Sequence, residues 1–246
     1  MELLFEQKVT VTNSDIHKNG LLKLSALLRY AQEASGGHSD LLGFSWDNLA
    51  EKGLFWAVLR HRAVITRLPV LGERITLQTW PLPATRSAYP RAVRCLDNAG
   101  NCLFEVMSLW VLMDMKTRAM VLPGKSGVEV PGIVRGDEIG TPGSISPGAF
   151  ENAALWQVSD GDLDINGHVN NAMYLDHVEA LTSGVSIANS PREFTVCYLS
   201  EVLPGQELTL CWQLSNEGLL TVEGHRTRTD VLDQKQRVFA VRLQYS

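Results

Sequence analysis

Apolar residues recur at helical spacing in two places, first at Leu24, Leu27, Leu28 and Ala31 and again at Tyr174, Val178 and Leu181. A stripe of that period buries one face of a helix, so both segments are read as core-facing amphipathic helices. Elsewhere the period is two. Leu208, Leu210, Trp212 and Leu214 share one face of an extended segment, and Phe239, Val241, Leu243 and Tyr245 share another, which predicts strands buried on one side. Polar turn signals separate such runs: residues 97–101 (DNAGN) and 216–218 (NEG) each read as the loop of a hairpin.

The same order of elements occurs twice. DIHKNG (15–20) resembles DLDING (162–167), and each precedes an amphipathic segment, LLRYAQEASGG in one half and YLDHVEALTSG in the other. LPVLGERITLQTW (68–80) resembles VLPGQELTLCW (202–212), with Gly72 opposite Gly205. Between the halves, residues 122–148 hold 7 of the 20 glycines and 4 of the 10 prolines, a linker composition. The expectation is an α+β chain of two like domains, 1–121 and 149–246, each an antiparallel sheet wrapped round a helix.

Composition narrows the function classes. The 246 residues are 45% hydrophobic and 20% charged, as in an ordinary globular protein, and 22 Lys and Arg against 27 Asp and Glu give a net charge of -5. An acidic balance argues against a chain whose main task is to coat nucleic acid or anionic lipid. The longest apolar runs, 54–59 and 107–113, fall short of the ~18 residues that cross a bilayer. The start, MELLFEQKVTVTNSD, reads as a strand with no export signal, which places the chain in the cytosol. Cys95, Cys102, Cys197 and Cys211 form no C-x-x-C pair and no zinc-type spacing, so buried free thiols are expected and no metal or redox cofactor.

The densest polar cluster is SDGDLDINGHVNN (159–171), which sets Asp164, Asn166 and His168 at alternate positions just before a helix expected over 170–181. Alternate residues of an extended segment point the same way. A carboxylate, an amide and an imidazole facing one spot supply acid-base capacity and a hydrogen-bond donor, and the helix N-terminus adds N–H groups for an anionic oxygen. The competing reading is a loop rich in capping residues. Asp162, Asp164, Asn166 and Gly167 match positions one, three, five and six of a calcium loop, but Met173 stands where position twelve needs a bidentate Glu, so calcium is set aside. GKS (124–126) lacks the leading glycine of a phosphate loop, and neither G-x-S-x-G nor G-x-G-x-x-G is present. Over residues 52–96, Lys52, Arg60, Arg62, Arg67, Arg74, Arg86, Arg91 and Arg94 face the single acid Glu73, either as solvated strand surface or as a docking face for an acidic partner or a phosphate.

DLDINGHVNNAMYLDHVEA, with FTVCYLSEV downstream, resembles the acyl-carrier-protein thioesterases of plants and bacteria; RLPVLGERITLQTWP and SLWVLMDMKTRAMV look like first-half strands of that family. The resemblance implies a tandem (double) hotdog fold and hydrolysis of fatty acyl thioesters on acyl carrier protein, the partner bearing the phosphopantetheine-linked chain. A homodimer stays open. By position, the family's Asp, Asn and His fall on Asp164, Asn166 and His168, and its downstream Glu falls on Glu201. Plant members often carry a Cys beside that Glu. Here the residue is Val202, which makes activated water simpler than thiol attack, with Cys197, four residues before Glu201, as the rival thiol. Leu21 stands opposite His168, so one active site per chain is expected, with the first half supplying pocket walls. A coenzyme A thioesterase or hydratase on the same fold, and an acyl-binding module without turnover, are the alternative readings.

Overall fold

The computed structural model describes residues 2–164, 167–181, 190–227 and 235–246. The chain divides into two units, Met1–Pro142 and Gly143–Ser246. The first contains β1 (Phe5–Thr10), α1 (Leu24–Leu41), α2 (Trp46–Ala50), β2 (Leu54–Ile65), β3 (Arg74–Pro81), β4 (Tyr89–Leu96), β5 (Cys102–Asp114), β6 (Met120–Val121) and α3 (Pro123–Ser126). Its strands pair antiparallel in the order β1-β3-β4-β5-β2, with β6 on the end of β5. The predicted stripe of α1 is buried at Leu24, Leu27, Leu28 and Ala31, and the helix packs on β1, β3 and β4. Each buried leucine contributes roughly 1.5–3 kcal/mol, which outweighs the glycines and serines in the helix.

The second unit contains β7 (Asn152–Gln157), α4 (Met173–Leu181), β8 (Pro191–Tyr198), β9 (Glu207–Leu214), β10 (Leu219–Thr227) and β11 (Lys235–Tyr245). Its antiparallel order is β7-β9-β10-β11-β8, the path of the first unit strand for strand. Tyr174 anchors α4 edge-on to Trp156, Tyr198 and Phe239, with ring centroids 5.5, 5.5 and 4.8 Å away. The face predicted for Phe239, Val241, Leu243 and Tyr245 is buried throughout, and on β9 Leu208 and Leu210 are buried while Trp212 and Leu214 are partly so. Both expected hairpin loops are present, between β4 and β5 and between β9 and β10.

Three expectations change. The segment 122–148 is not an open tether. Val128 is buried, Ile133 N donates to Pro81 O at 2.9 Å, and Trp80 Nε1 donates to Glu138 at 3.0 Å, so residues up to Pro142 pack with the first unit. Residues 143–148 pack with the second, where Gly148 N donates to Glu223 at 3.0 Å and Arg237 donates to Ile145 O at 2.9 Å. A Cβ on Gly132 would stand 2.2 Å from the carbonyl carbon of Leu82, so this glycine permits close backbone approach. Next, α4 begins at Met173 and not at Asn170, because Asn170 Oδ1 accepts from Ala172 N at 2.9 Å and holds a turn there. Last, most of the basic stretch is engaged internally. Arg91 is buried, Arg94 pairs with Glu105 and Asp137, Arg67 pairs with Glu73, and Arg60 and Arg62 reach the carbonyls of Pro142 and Gly140. Lys52, Arg74 and Arg86 remain exposed. Among the described residues no helix is long and apolar enough to cross a membrane.

Candidate active site

The polar cluster sits on a tight loop between β7 and α4. Asp164 N donates to His168 O at 2.8 Å and Gly167 N to Asp164 O at 3.1 Å, with Gly167 at φ 75°, a left-handed conformation that favours glycine. One Asp164 carboxylate oxygen accepts from His168 N at 3.2 Å, so this side chain stabilises the turn that presents the imidazole. Both ends are tied down: Asn170 N donates to Asp162 O at 2.8 Å, and Val169 N donates to Val202 O at 3.0 Å. The second bond joins the loop to the segment that carries Glu201.

His168 Nε2 consequently lies 3.7 Å from Glu201 Oε2, with side chains 30% and 51% exposed. That is ion-pair range but longer than a hydrogen bond, and such catalytic contacts commonly tighten only when substrate binds. An imidazole and a carboxylate side by side, both open to solvent, can orient a water and take its proton. Arg226 holds the second partner in place: its guanidinium donates to Glu201 O at 2.8 Å and to Ser200 Oγ at 3.1 Å. Tyr198 OH donates to Asn171 O at 2.7 Å, a further tie between β8 and the turn that precedes α4. Of the predicted site residues, the structure brings Asp164, His168 and Glu201 together, while Asn166 lies outside the described residues.

Beneath the loop is an arrangement that sequence reasoning missed. The buried Asp162 carboxylate accepts from Ser159 N at 2.8 Å, Ser159 Oγ at 2.9 Å, Trp156 Nε1 at 3.3 Å and His177 Nε2 at 2.8 Å. Burial alone would raise its pKa, but the bonds from His177 and Ser159 outweigh burial and hold the carboxyl below the ordinary range. His177 stacks on Trp156 with centroids 3.8 Å apart. The first unit holds the counterpart, where Asp15 and Tyr30 stand opposite Asp162 and His177, and Tyr30 OH donates to Asp15 at 2.6 Å.

The first unit repeats the loop without its chemistry. His17 N donates to Leu21 O at 2.9 Å, Gly20 N to His17 O at 2.9 Å, and Leu22 N to Pro69 O at 2.9 Å, with Gly20 at φ 81°. Superposing these bonds sets His17, Leu21 and Leu68 against Asp164, His168 and Glu201. Of the facing acid-base pair, the first unit retains two leucines.

Residues 2–122 match the family model of the acyl-ACP thioesterase N-terminal domain, and residues 149–243 match that of the C-terminal domain. The chain belongs to the acyl-ACP thioesterase family. A palmitoyl-acyl carrier protein thioesterase of Arabidopsis thaliana is 25% identical over 215 residues, covering 81% of this chain and 52% of the relative. A dodecanoyl-[acyl-carrier-protein] hydrolase of Cinnamomum camphora is 23% identical over 229 residues, covering 81% and 56%. The chain thus spans about half the length of these curated relatives. Two solved structures share the fold: an acyl-ACP thioesterase from Bacteroides thetaiotaomicron VPI-5482 (TM-score 0.86, 22% identity, covering 99% of this chain and 98% of that one) and the 12:0-ACP thioesterase from Umbellularia californica (TM-score 0.83, 20% identity, covering 100% and 98%).

The four thiols of this chain are unbridged. Cys197 is buried against Ile145 and Ala240, and its Sγ approaches Gly143 O at 3.7 Å. Strand β8 ends at Tyr198, so the alternation that would align Cys197 with Glu201 stops before Glu201 is reached. Burial raises the Cys95 and Cys102 thiols, which disfavours their nucleophilic form.

Proposed function

We propose that this chain hydrolyses fatty acyl thioesters of acyl carrier protein to the free acid and the carrier thiol, with its two units as tandem hotdogs. The observation that carries this reading is the 3.7 Å approach of His168 to Glu201 in the second unit, set against the paired leucines at the equivalent positions of the first. Water held by Glu201 and His168 attacks the thioester carbonyl carbon and gives up a proton to that pair. The carbonyl oxygen becomes an oxyanion, for which the Asn166 amide is the donor by position in the family motif. The C–S bond then breaks, the sulfur leaves with a proton returned from His168, and the acyl group departs as a carboxylic acid. No thiol takes part, and Asp164 acts by holding the His168 turn.

The test is release of free acid from acyl-ACP and acyl-CoA of varied chain length. The reading expects saturable hydrolysis with a higher kcat/KM on the carrier protein than on coenzyme A. Binding of acyl-ACP without any release of acid would make the chain an acyl-binding module and overturn it.

A further inference from the structure

The tight turn that presents His168 stands on a short ladder. Asp164 N donates to His168 O at 2.8 Å, Leu163 bridges Val169, and Asn170 N donates to Asp162 O at 2.8 Å. Asp162 is the lowest rung, so its place sets the direction in which His168 faces Glu201. Its carboxylate is clamped between the strand that enters the loop and the helix that leaves it. Trp156 on β7 and His177 on α4 stack with ring centroids 3.8 Å apart and an interplanar angle of 25°. Each aims a ring N–H at the carboxylate, Trp156 Nε1 at Oδ2 (3.3 Å) and His177 Nε2 at Oδ1 (2.8 Å). An ionised carboxylate only accepts, so the proton of the second bond sits on His177 Nε2.

The first unit builds the same ladder with a different anchor. Lys23 N donates to Asp15 O at 2.9 Å, Ile16 bridges Leu22, and His17 N donates to Leu21 O at 2.9 Å. There α1 supplies two donors to the Asp15 carboxylate, Tyr30 OH at 2.6 Å and the Arg29 guanidinium. In the second unit Asp176 stands opposite Arg29. Among the described residues α4 therefore reaches the Asp162 carboxylate through His177 alone. The unit that keeps the acid-base pair ties its loop to its helix by one bond, and that bond belongs to an imidazole. Loss of a single side chain can then let the ladder shift against Val202, whose carbonyl accepts from Val169 N at 3.0 Å and sets the loop beside Glu201.

We propose that His177 is a positioning residue for the His168–Glu201 pair: by holding Asp162 it fixes the base of the ladder, and through the ladder the 3.7 Å approach of His168 to Glu201. The proposal rests on the hydrolysis proposed above, so its test pairs turnover with a readout that needs none. His177→Phe keeps a ring against Trp156 and removes the donor. Its kcat on acyl-ACP should fall by roughly 10- to 100-fold with KM little changed, since small misplacement of a catalytic group costs that much. Hydrogen exchange of the His168 and Asn170 amides should speed up, while the Lys23 amide of the first unit keeps its wild-type rate. His177→Gln, whose Nε2 lies as many bonds from Cα as that of histidine, should restore both readouts. Tyr30→Phe is the internal control, because it removes the matching bond beneath the loop that bears Leu21. It should speed exchange of the Lys23 amide and leave kcat at the wild-type value. Should His177→Phe fail to fold, His177→Asn, whose amide stops one bond short, takes its place with the same expected outcomes. Should the wild-type chain hydrolyse no thioester, the hydrolysis reading falls, and exchange alone decides whether His177 holds the loop. Wild-type kcat or loop exchange in His177→Phe, a loss carried by KM, no recovery in His177→Gln, or an equal loss of kcat in Tyr30→Phe would overturn the proposal.

Discussion

Asp162 and Asp164 are two residues apart in one motif, yet their surroundings assign them different work. Asp162 is buried under four hydrogen bonds, whereas Asp164 is only partly buried and steadies the backbone of His168. Because the folded Asp162 carboxyl binds its proton less readily than the unfolded one, its contribution is fully present above the unfolded pKa of ~4 and is lost as the pH falls through the lower folded value. Asp162→Asn should therefore cost about 1–3 kcal/mol at pH 7, and the gap to wild type should narrow below pH ~4. Urea unfolding of both proteins at pH 7 and pH 3 reads this directly. A gap independent of pH would mean that the charge of Asp162 does not support the loop.

At the scale of elements, the loop, the segment after β8 and strand β10 form one unit of positioning. Arg226 on β10 donates to Glu201 O and Ser200 Oγ, and also to Gln206 and Gln236, at 2.8 to 3.3 Å. Arg226→Met should lower kcat by roughly 10- to 100-fold with KM little changed, since small misplacement of a catalytic group costs that much. A proportional rise in KM with kcat intact would instead assign Arg226 to substrate binding. The helices and strands were legible because burial imposes their periods: the stripe of α1 and the alternating face of β11 are both written locally. The Asp164–His168 turn was not legible in this way: the alternation of Asp164, Asn166 and His168 predicts an extended run, whereas Asp164 N and His168 O close a tight turn with Gly167 in the left-handed region. Arg226 and His177 were not legible either, since they act across 25 and 15 residues and meet their partners only once the sheet register and helix packing exist. The Gly and Pro content of 122–148 misled because glycine also marks close backbone packing, as at Gly132.

For the whole molecule, two units with the same strand path and the same loop bonds differ at the facing pair: the second sets His168 beside Glu201, and the first has Leu21 and Leu68 at the matching positions. The charge pattern bears on partner choice at this scale too. With Arg91 and Arg94 engaged inside the first unit, Lys52, Arg74 and Arg86 are the exposed residues of the predicted basic face, and Arg86 is the one chosen to test steering of an acidic carrier. Arg86→Glu should raise KM for a carrier-bound substrate more than for a small thioester, and the difference should shrink with salt. Arg94→Glu should instead lower the melting temperature, by placing a like charge against Glu105 and Asp137. Equal KM effects of Arg86→Glu on both substrates would remove the docking role.

The claim that His168 and Glu201 act as one water-activating pair is tested most directly by kcat/KM on acyl-ACP for His168→Ala, Glu201→Ala and the double variant. Each single change should cost at least ~100-fold, and the double variant should lose little more than either single one, because a pair that works as a unit fails when either member is gone. Near wild-type rates in either single variant, or fully multiplicative losses in the double, would contradict the account.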